Sequence, residues 1–162
     1  MELNDMSVED LKNVNLEELI KEKEKEYNER KEKDKWEYMA RDEKLSEDFI
    51  RKNQDKLNWE YISAYQKLSE DFIREFKDKV DWLCISIKQD MSESFIREFS
   101  DRVNWVALSL HKKLSESLIR DFQDKVHWGY ISSCQDLSDE FIEEFKDKLY
   151  MNILKSRIYK KE

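Results

Sequence analysis

Apart from its carboxylates, this 162-residue chain has few residues suited to nucleophilic, acid–base or metal chemistry. The histidines are His111 and His127, and the cysteines are Cys84 and Cys134. Neither histidine belongs to a sequence motif of a zinc site or an activated nucleophile. The single glycine excludes a glycine-rich phosphate loop. We therefore predict a protein that is not an enzyme and holds no metal or cofactor, with both cysteines as free thiols in a reducing compartment.

The charged side chains recur along the chain with a fixed period. This repetition indicates capping and solubility rather than one acid–base pair. One position of the period carries an arginine row: Arg51, Arg74, Arg97 and Arg120. Four residues after each arginine stands an aspartate: Asp55, Asp78, Asp101 and Asp124. Most of these arginines are also followed directly by an acid, which is Glu75, Glu98 or Asp121. The row is a candidate nucleic-acid track, but these acids and the net charge of −8 favour mutual neutralisation instead.

The period is set by five tryptophans that lie 23 residues apart: Trp36, Trp59, Trp82, Trp105 and Trp128. An internal repeat of this length indicates one small structural unit copied along the chain. The units, numbered 1 to 5, start at residues 45, 68, 91, 114 and 137. Unit 2, residues 68–90, reads LSEDFIREFKDKVDWLCISIKQD. Positions within a unit are numbered 1 to 23 from this start.

Each unit contains the signals of two helices, named A and B. Position 2 is always serine, a preferred N-cap, and apolar residues at positions 5, 6, 9 and 13 form one face of helix A. Position 14 is an Asn or Asp cap in units 1 to 3 and His127 in unit 4. Helix B then carries a stripe at positions 15, 18, 19 and 22: Trp, Ile or Leu, Ser, and usually Gln. The small serine would let a neighbouring helix approach, and its hydroxyl can bond the carbonyl one turn back.

These signals predict an all-α fold, since the chain has one glycine and no proline for the turns of a sheet protein. Two helices of about eight or nine residues fit in one unit, and helices that short are marginal alone. The units must therefore stack into an α-solenoid. Each tryptophan would fill the gap between successive units, and truncating a buried one should cost about 3–5 kcal/mol.

Residues 45–162 are predicted to form the repeat array, and residues 1–44 capping helices that include a degenerate repeat. Within the cap we expect a short helix near 7–13 and a longer one over 16–42. Trp36, Tyr38 and Met39 match positions 15, 17 and 18. The alternating charges of Lys21–Lys35 indicate a solvated helix face, with a partner-binding coil as the alternative. Unit 5 carries Tyr150 and Met151 at positions 14 and 15, and ends in a polar segment suited to a C-terminal cap.

Repeat proteins tend to bind through positions that vary between units while the frame is constant. Positions 16 and 20 are both apolar only in units 2 and 3, as Leu83, Ile87, Val106 and Leu110. Beside them, positions 17 and 21 contribute the remaining candidate binding residues: Tyr61, Tyr65, Lys88, His111 and Tyr130. An apolar centre with a polar and aromatic rim is typical of a protein interface. The alternative is that this face is buried against an adjacent helix.

The repeated unit L-S-E-x-F-I-x-x-F-x-D-x-V-x-W-x-x-I-S-x-x-Q-x resembles tandem helical repeats of giant viruses, phages and AT-rich bacteria. The resemblance covers residues 45–150 and, in part, Trp36–Lys44. It implies a viral, phage or prophage setting and an interaction role. One function it implies is inhibition of a bacterial defence effector, by binding or by nucleic-acid mimicry.

Taken together, the residues predict an α-solenoid that binds a protein partner through helix B. Nucleic-acid binding through the arginine row and acidic nucleic-acid mimicry are the alternatives. No apolar run reaches the roughly 18 residues that span a membrane, and no signal peptide is expected. We expect a cytoplasmic location, in the host cell if the protein is viral. The sequence leaves the partner's identity and the oligomeric state open.

Overall fold

A computed structural model describes residues 16–158, which form eleven helices and contain no strand. The predicted all-α class is confirmed. The short helix expected near 7–13 lies outside the described residues. The long N-terminal helix, α1, spans Leu16–Asp42, as the sequence predicts.

After α1, two types of helix alternate through the five units. The A helices are α2 Glu47–Lys52, α4 Glu70–Glu75, α6 Glu93–Glu98, α8 Glu116–Asp121 and α10 Asp139–Glu144. The B helices are α3 Trp59–Tyr65, α5 Trp82–Lys88, α7 Trp105–His111, α9 Trp128–Cys134 and α11 Met151–Ile158. One A helix and one B helix in every 23-residue unit confirm the repeat.

The expected helix length of eight or nine residues is wrong, because the A helices have six residues and α3, α5, α7 and α9 have seven. Positions 9 to 13 form a hydrogen-bonded turn instead of continuing helix A. In unit 2 the amides of Lys79 and Val80 both donate to the Phe76 carbonyl, at 2.9 and 3.1 Å. This turn uses residues that the periodicity alone would assign to the helix.

The predicted caps are confirmed at both kinds of helix. Ser69 has an extended backbone, and its hydroxyl accepts from the Phe72 amide at 3.1 Å. The carboxylate of Asp81 accepts from the Cys84 amide at 2.7 Å. His127 substitutes for the Asn or Asp cap, since its Nδ1 accepts from the Tyr130 amide at 3.2 Å. Each cap satisfies an amide that has no partner inside its own helix.

The core is built from positions 5 and 6 of helix A and position 18 of helix B. In unit 2 these are Phe72, Ile73 and Ile85, all fully buried. Burial of one apolar stripe from each helix is what allows helices of two turns to be stable.

The tryptophans join successive units, as predicted. The Trp59 ring lies 4.8 Å from the Phe76 ring of the next unit, measured between centroids. Among the five, only Trp105 is buried, at 8% exposed, and the others are half-buried. A lysine of the next unit covers part of the exposed surface: Lys79 Nζ lies 5.8 Å from the Trp59 centroid, and Lys148 Nζ lies 5.5 Å from that of Trp128. The expected loss of about 3–5 kcal/mol of stability on truncation to alanine therefore applies best to Trp105.

Buried serine and glutamine side chains bond the B helices to one another. Ser86 donates to the Trp82 carbonyl at 2.6 Å and accepts from the Asn104 amide of the next unit at 2.9 Å. Gln89 Oε1 accepts from the Leu68 amide at 3.0 Å, and its Nε2 donates to the Ser63 and Gln66 carbonyls of the preceding unit. These bonds hold each B helix beside the next, with their C-terminal ends together. The predicted α-solenoid is confirmed.

The last part of α1 takes the place of a B helix before unit 1. Ala40 is fully buried at position 19, and Gln66 Nε2 donates to the Ala40 and Glu43 carbonyls at 2.8 and 2.7 Å. Residues 21–35 are all exposed, which agrees with a solvated helix face. At the other end, the Tyr150 amide donates to Ser132 at 2.9 Å, so α11 docks in the same register.

Candidate protein interface on the B helices

The central apolar patch, defined as Leu83, Ile87, Val106 and Leu110, lies on the surface. Leu83 is 49% exposed, Val106 48% and Leu110 37%, while Ile87 is half-buried. The inward stripe of helix B uses positions 15, 18, 19 and 22, so positions 16 and 20 are directed away from the core. Helices α5 and α7 pack side by side, which makes the patch contiguous. The alternative that this face is buried against another helix is wrong.

The rim residues predicted at positions 17 and 21 differ in their exposure. Position 21 is open: Tyr65 is 57% exposed, and Lys88 and His111 are exposed as well. Position 17 is more enclosed. Tyr61 is half-buried with its ring 6.1 Å from that of Tyr65, and Tyr130 on α9 is half-buried with its ring 4.4 Å from that of His127. The structure therefore places Lys88 and His111 directly beside the patch, and the tyrosines on the flanking helices.

A basic edge, defined as Lys67, Lys88 and Lys113, follows the C-terminal ends of the B helices. All three are exposed, and none forms an ion pair with another described residue. Lys67 and Lys88 line one shallow cleft of about 270 Å³ together with Tyr65 and Asp90. Lys88, at position 21, is a predicted binding residue. Lys67 and Lys113 were not predicted, although both lie at position 23.

The arginine row, at position 7, is neutralised as predicted. Its partners include the acid at position 8 of the following unit, and not the aspartates at position 11. Arg74 bonds Glu98 of the next unit and Asp71 of its own helix, both at 2.8 Å. The hydrogen bond to Glu98 raises the pKa of the Arg74 guanidinium above its ordinary value. Asp78 instead pairs with Arg102 of the next unit at 2.7 Å. The predicted pairing with the aspartates is wrong because helix A ends at position 8, so position 11 lies in the following turn.

The same pairing recurs along the surface formed by the A helices and the turns after them, which we call the A face. Arg51 and Arg120 repeat the pairing with the next unit at 2.8 Å, and Arg97 pairs with Asp121 at 2.6 Å. Acids and bases alternate along this face. It therefore presents neither a free basic track nor an uninterrupted acidic surface.

The cysteines and histidines do not form a reactive cluster. Burial, together with a hydrogen bond to Asp81 and its charge, raises the pKa of the Cys84 thiol to about 11. That thiol is protonated at neutral pH and is a poor nucleophile. Cys134 is a free, exposed thiol, and His127 is occupied as a helix cap. Over residues 16–158, no three His, Cys, Asp or Glu side chains are grouped as metal ligands would be.

Comparison of the chain with protein-family models, curated proteins and solved structures gives no match. The assignment as a helical repeat protein consequently depends on the repeated unit and the helical array themselves. Among the helices of residues 16–158, none has both the length and the apolar composition needed to cross a membrane.

Proposed function

We propose that this chain is a non-enzymatic binding protein that receives a protein partner on the outer face of its B helices. The central apolar patch is the contact surface. The observation that carries the proposal is the half-exposure of Leu83 and Val106 on adjacent helices. Positions 16 and 20 of units 1 and 4, in contrast, carry polar or small residues: Glu60, Ala64, Gly129 and Ser133.

Packing of the repeat does not require apolar residues at the four positions of this patch. Exposed apolar surface forgoes about 25 cal/mol of stabilisation for every Å² that could have been buried. A chain that is 42% charged has polar residues available for those positions, and uses them in the flanking units. A contiguous apolar patch within a polar surface is typical of an interaction site.

The A face supports the alternatives less well. Nucleic-acid binding through the arginine row would require guanidiniums that are free to meet phosphates, and Arg51 and Arg74 each already bond two acids. Nucleic-acid mimicry would require a continuous acidic surface, whereas acids and bases alternate on the A face. If the motif resemblance reflects a phage or viral origin, binding at the patch would serve to block a host protein, such as a defence effector in the host cytoplasm.

The proposal is tested with the double variant Leu83→Glu, Leu110→Glu, which places two charges in the patch. The matched control is Ser133→Glu, Asn152→Glu, which places them at positions 20 and 16 of units 4 and 5. Tagged wild type and both variants are purified from the natural host, and the co-purifying proteins are identified by mass spectrometry. We expect all three to keep their circular dichroism spectrum and only the patch variant to lose its partner. An identical partner set for all three proteins would contradict the proposal.

A further inference from the structure

Among the described residues, many cations on the A face form ion pairs, whereas the lysines of the basic edge on the B helices do not. On the A face, Arg74, Arg102 and Lys79 pair with acids at 2.8, 2.7 and 3.2 Å. Other A-side cations, among them Lys52, Lys56 and Lys77, are exposed without an ion pair, but no large exposed apolar residue lies on an A helix. Within units 1 to 4, only the basic edge of the B helices combines exposed, unpaired cations with large exposed apolar side chains.

The basic edge and the central apolar patch form one continuous surface. Lys88 follows Ile87 at the end of α5, and Lys113 lies two residues beyond the end of α7. The C-terminal ends of neighbouring B helices are adjacent, since Gln89 Nε2 donates to the Gln66 carbonyl at 2.7 Å. In the cleft, Asp90 is the acid beside Lys67 and Lys88, and Asp136 holds the position of Lys113 in the next unit. A segment lying across the patch would therefore have cations along one side.

We propose that the partner presents an amphipathic segment with apolar side chains for the central apolar patch and carboxylates for the basic edge. This inference rests on the proposed function and specifies the chemistry of its partner. Carboxylates near Lys67, Lys88 and Lys113 would gain charge-assisted hydrogen bonds without displacing an existing ion pair. Tyr65, 57% exposed beside the cleft, adds a ring and a hydroxyl at the same edge.

The net charge of −8 does not exclude an acidic partner. Repulsion between exposed charges is largely screened beyond about 10 Å at 0.1 M salt, whereas the lysines act at contact distance. A second copy of this chain suits the surface less well. A twofold contact of patch against patch would bring the same lysines to both sides of the interface, with no unpaired acidic row to meet them.

The test uses a displayed library of random peptides of about 15 residues, long enough to form a short helix. Peptides selected on the full-length wild type are counter-selected on Leu83→Glu, Leu110→Glu. We expect the retained peptides to carry apolar residues at helical spacing and an excess of Asp and Glu. The affinity of a representative peptide is then measured for Lys88→Glu, Lys113→Glu and for the control Lys52→Glu, Lys77→Glu, which changes the net charge equally.

Charge reversal in Lys88→Glu, Lys113→Glu should weaken the affinity for the peptide by about 10-fold. Charge reversal in the control should weaken it by less than about 2-fold. Neutral or basic peptides that still need the patch would overturn the acidic partner and leave the proposed function standing. A library in which no peptide distinguishes wild type from the patch variant would overturn the proposed function itself. Labelled single-stranded RNA that binds wild type and the patch variant, but not Lys88→Glu, Lys113→Glu, would overturn the inference in favour of nucleic acid.

Discussion

At the scale of single residues, the glutamine at position 22 carries much of the contact between units. Gln135 makes the same three bonds as Gln89, accepting from the Leu114 amide and donating to the Ser109 and Lys112 carbonyls. In unit 3 this position is Lys112, whose Nζ donates to the Gln89 carbonyl at 2.6 Å. An ammonium group has no acceptor, so it cannot take the Met91 amide. Unit 3 is therefore joined to its neighbour by fewer side-chain bonds.

The substitution Lys112→Gln should stabilise the protein. It would add an acceptor for the Met91 amide and a second donated bond, and raise the free energy of unfolding by about 0.5–1.5 kcal/mol. Urea unfolding followed by circular dichroism measures this change. The reverse substitution, Gln135→Lys, should lower the same free energy by about 1–3 kcal/mol, because it leaves buried groups unpaired. A loss of stability in Lys112→Gln would show that the lysine fits unit 3 better than the common residue.

The sequence predicted side-chain hydrogen bonds within one unit, but not those between units. The bond from the position-19 serine to the carbonyl one turn back was predictable, because helix geometry fixes that distance. Its second bond, for example from the Asp81 amide to Ser63 at 2.9 Å, was not. That amide is 18 residues further along the chain, and its position depends on how units stack. The same reason explains why the neutralisation of the arginine row was predictable, whereas the contribution of each position-8 acid by the following unit was not.

At the scale of elements, α1 is one helix with two different environments. Residues 21–35 are exposed throughout. Their ion pairs, such as Lys25–Glu29 at 3.9 Å, lie on the solvated surface and contribute little to stability. Residues 36–42 pack as a B helix, with Trp36 6.3 Å from Phe49 between ring centroids. The two parts should therefore differ in their contribution to stability.

Proline placed in each part of α1 separates these contributions. Glu29→Pro should change the free energy of unfolding by less than about 0.5 kcal/mol, because the helix there has no tertiary contact to lose. Met39→Pro should cost about 3 kcal/mol or more, since it breaks the segment whose carbonyls bond Gln66. Urea unfolding of both variants tests this. A large loss in Glu29→Pro would reveal packing that the exposure of residues 21–35 does not indicate.

At the scale of the whole molecule, the core divides into two clusters within unit 3. One runs from Ala40 to Phe95 and the other from Ile96 to Leu154, with Trp82, Met91 and Phe99 packed against both. Lys112 also lies in unit 3. The central apolar patch crosses this junction, because Leu83 belongs to unit 2 and Val106 to unit 3. A partner bound there would contact both halves of the array. The periodicity predicted the array but not the division, which arises from how individual side chains pack.

Repeat arrays unfold as one unit only while the contacts between neighbours are strong enough to couple them. Phe99→Ala and Phe76→Ala remove the same position-9 ring, which lies 5.0 Å from Trp82 and 4.8 Å from Trp59 respectively. Each should cost about 3–5 kcal/mol if the site does not collapse. Phe76 lies inside one cluster, so its variant should still unfold in one transition. Phe99 joins the two clusters, so its variant should unfold in two steps. Hydrogen exchange in increasing urea, followed separately for units 1–2 and 4–5, distinguishes these outcomes. If both halves of Phe99→Ala unfold at the same urea concentration, the array is coupled by its backbone and glutamine bonds instead.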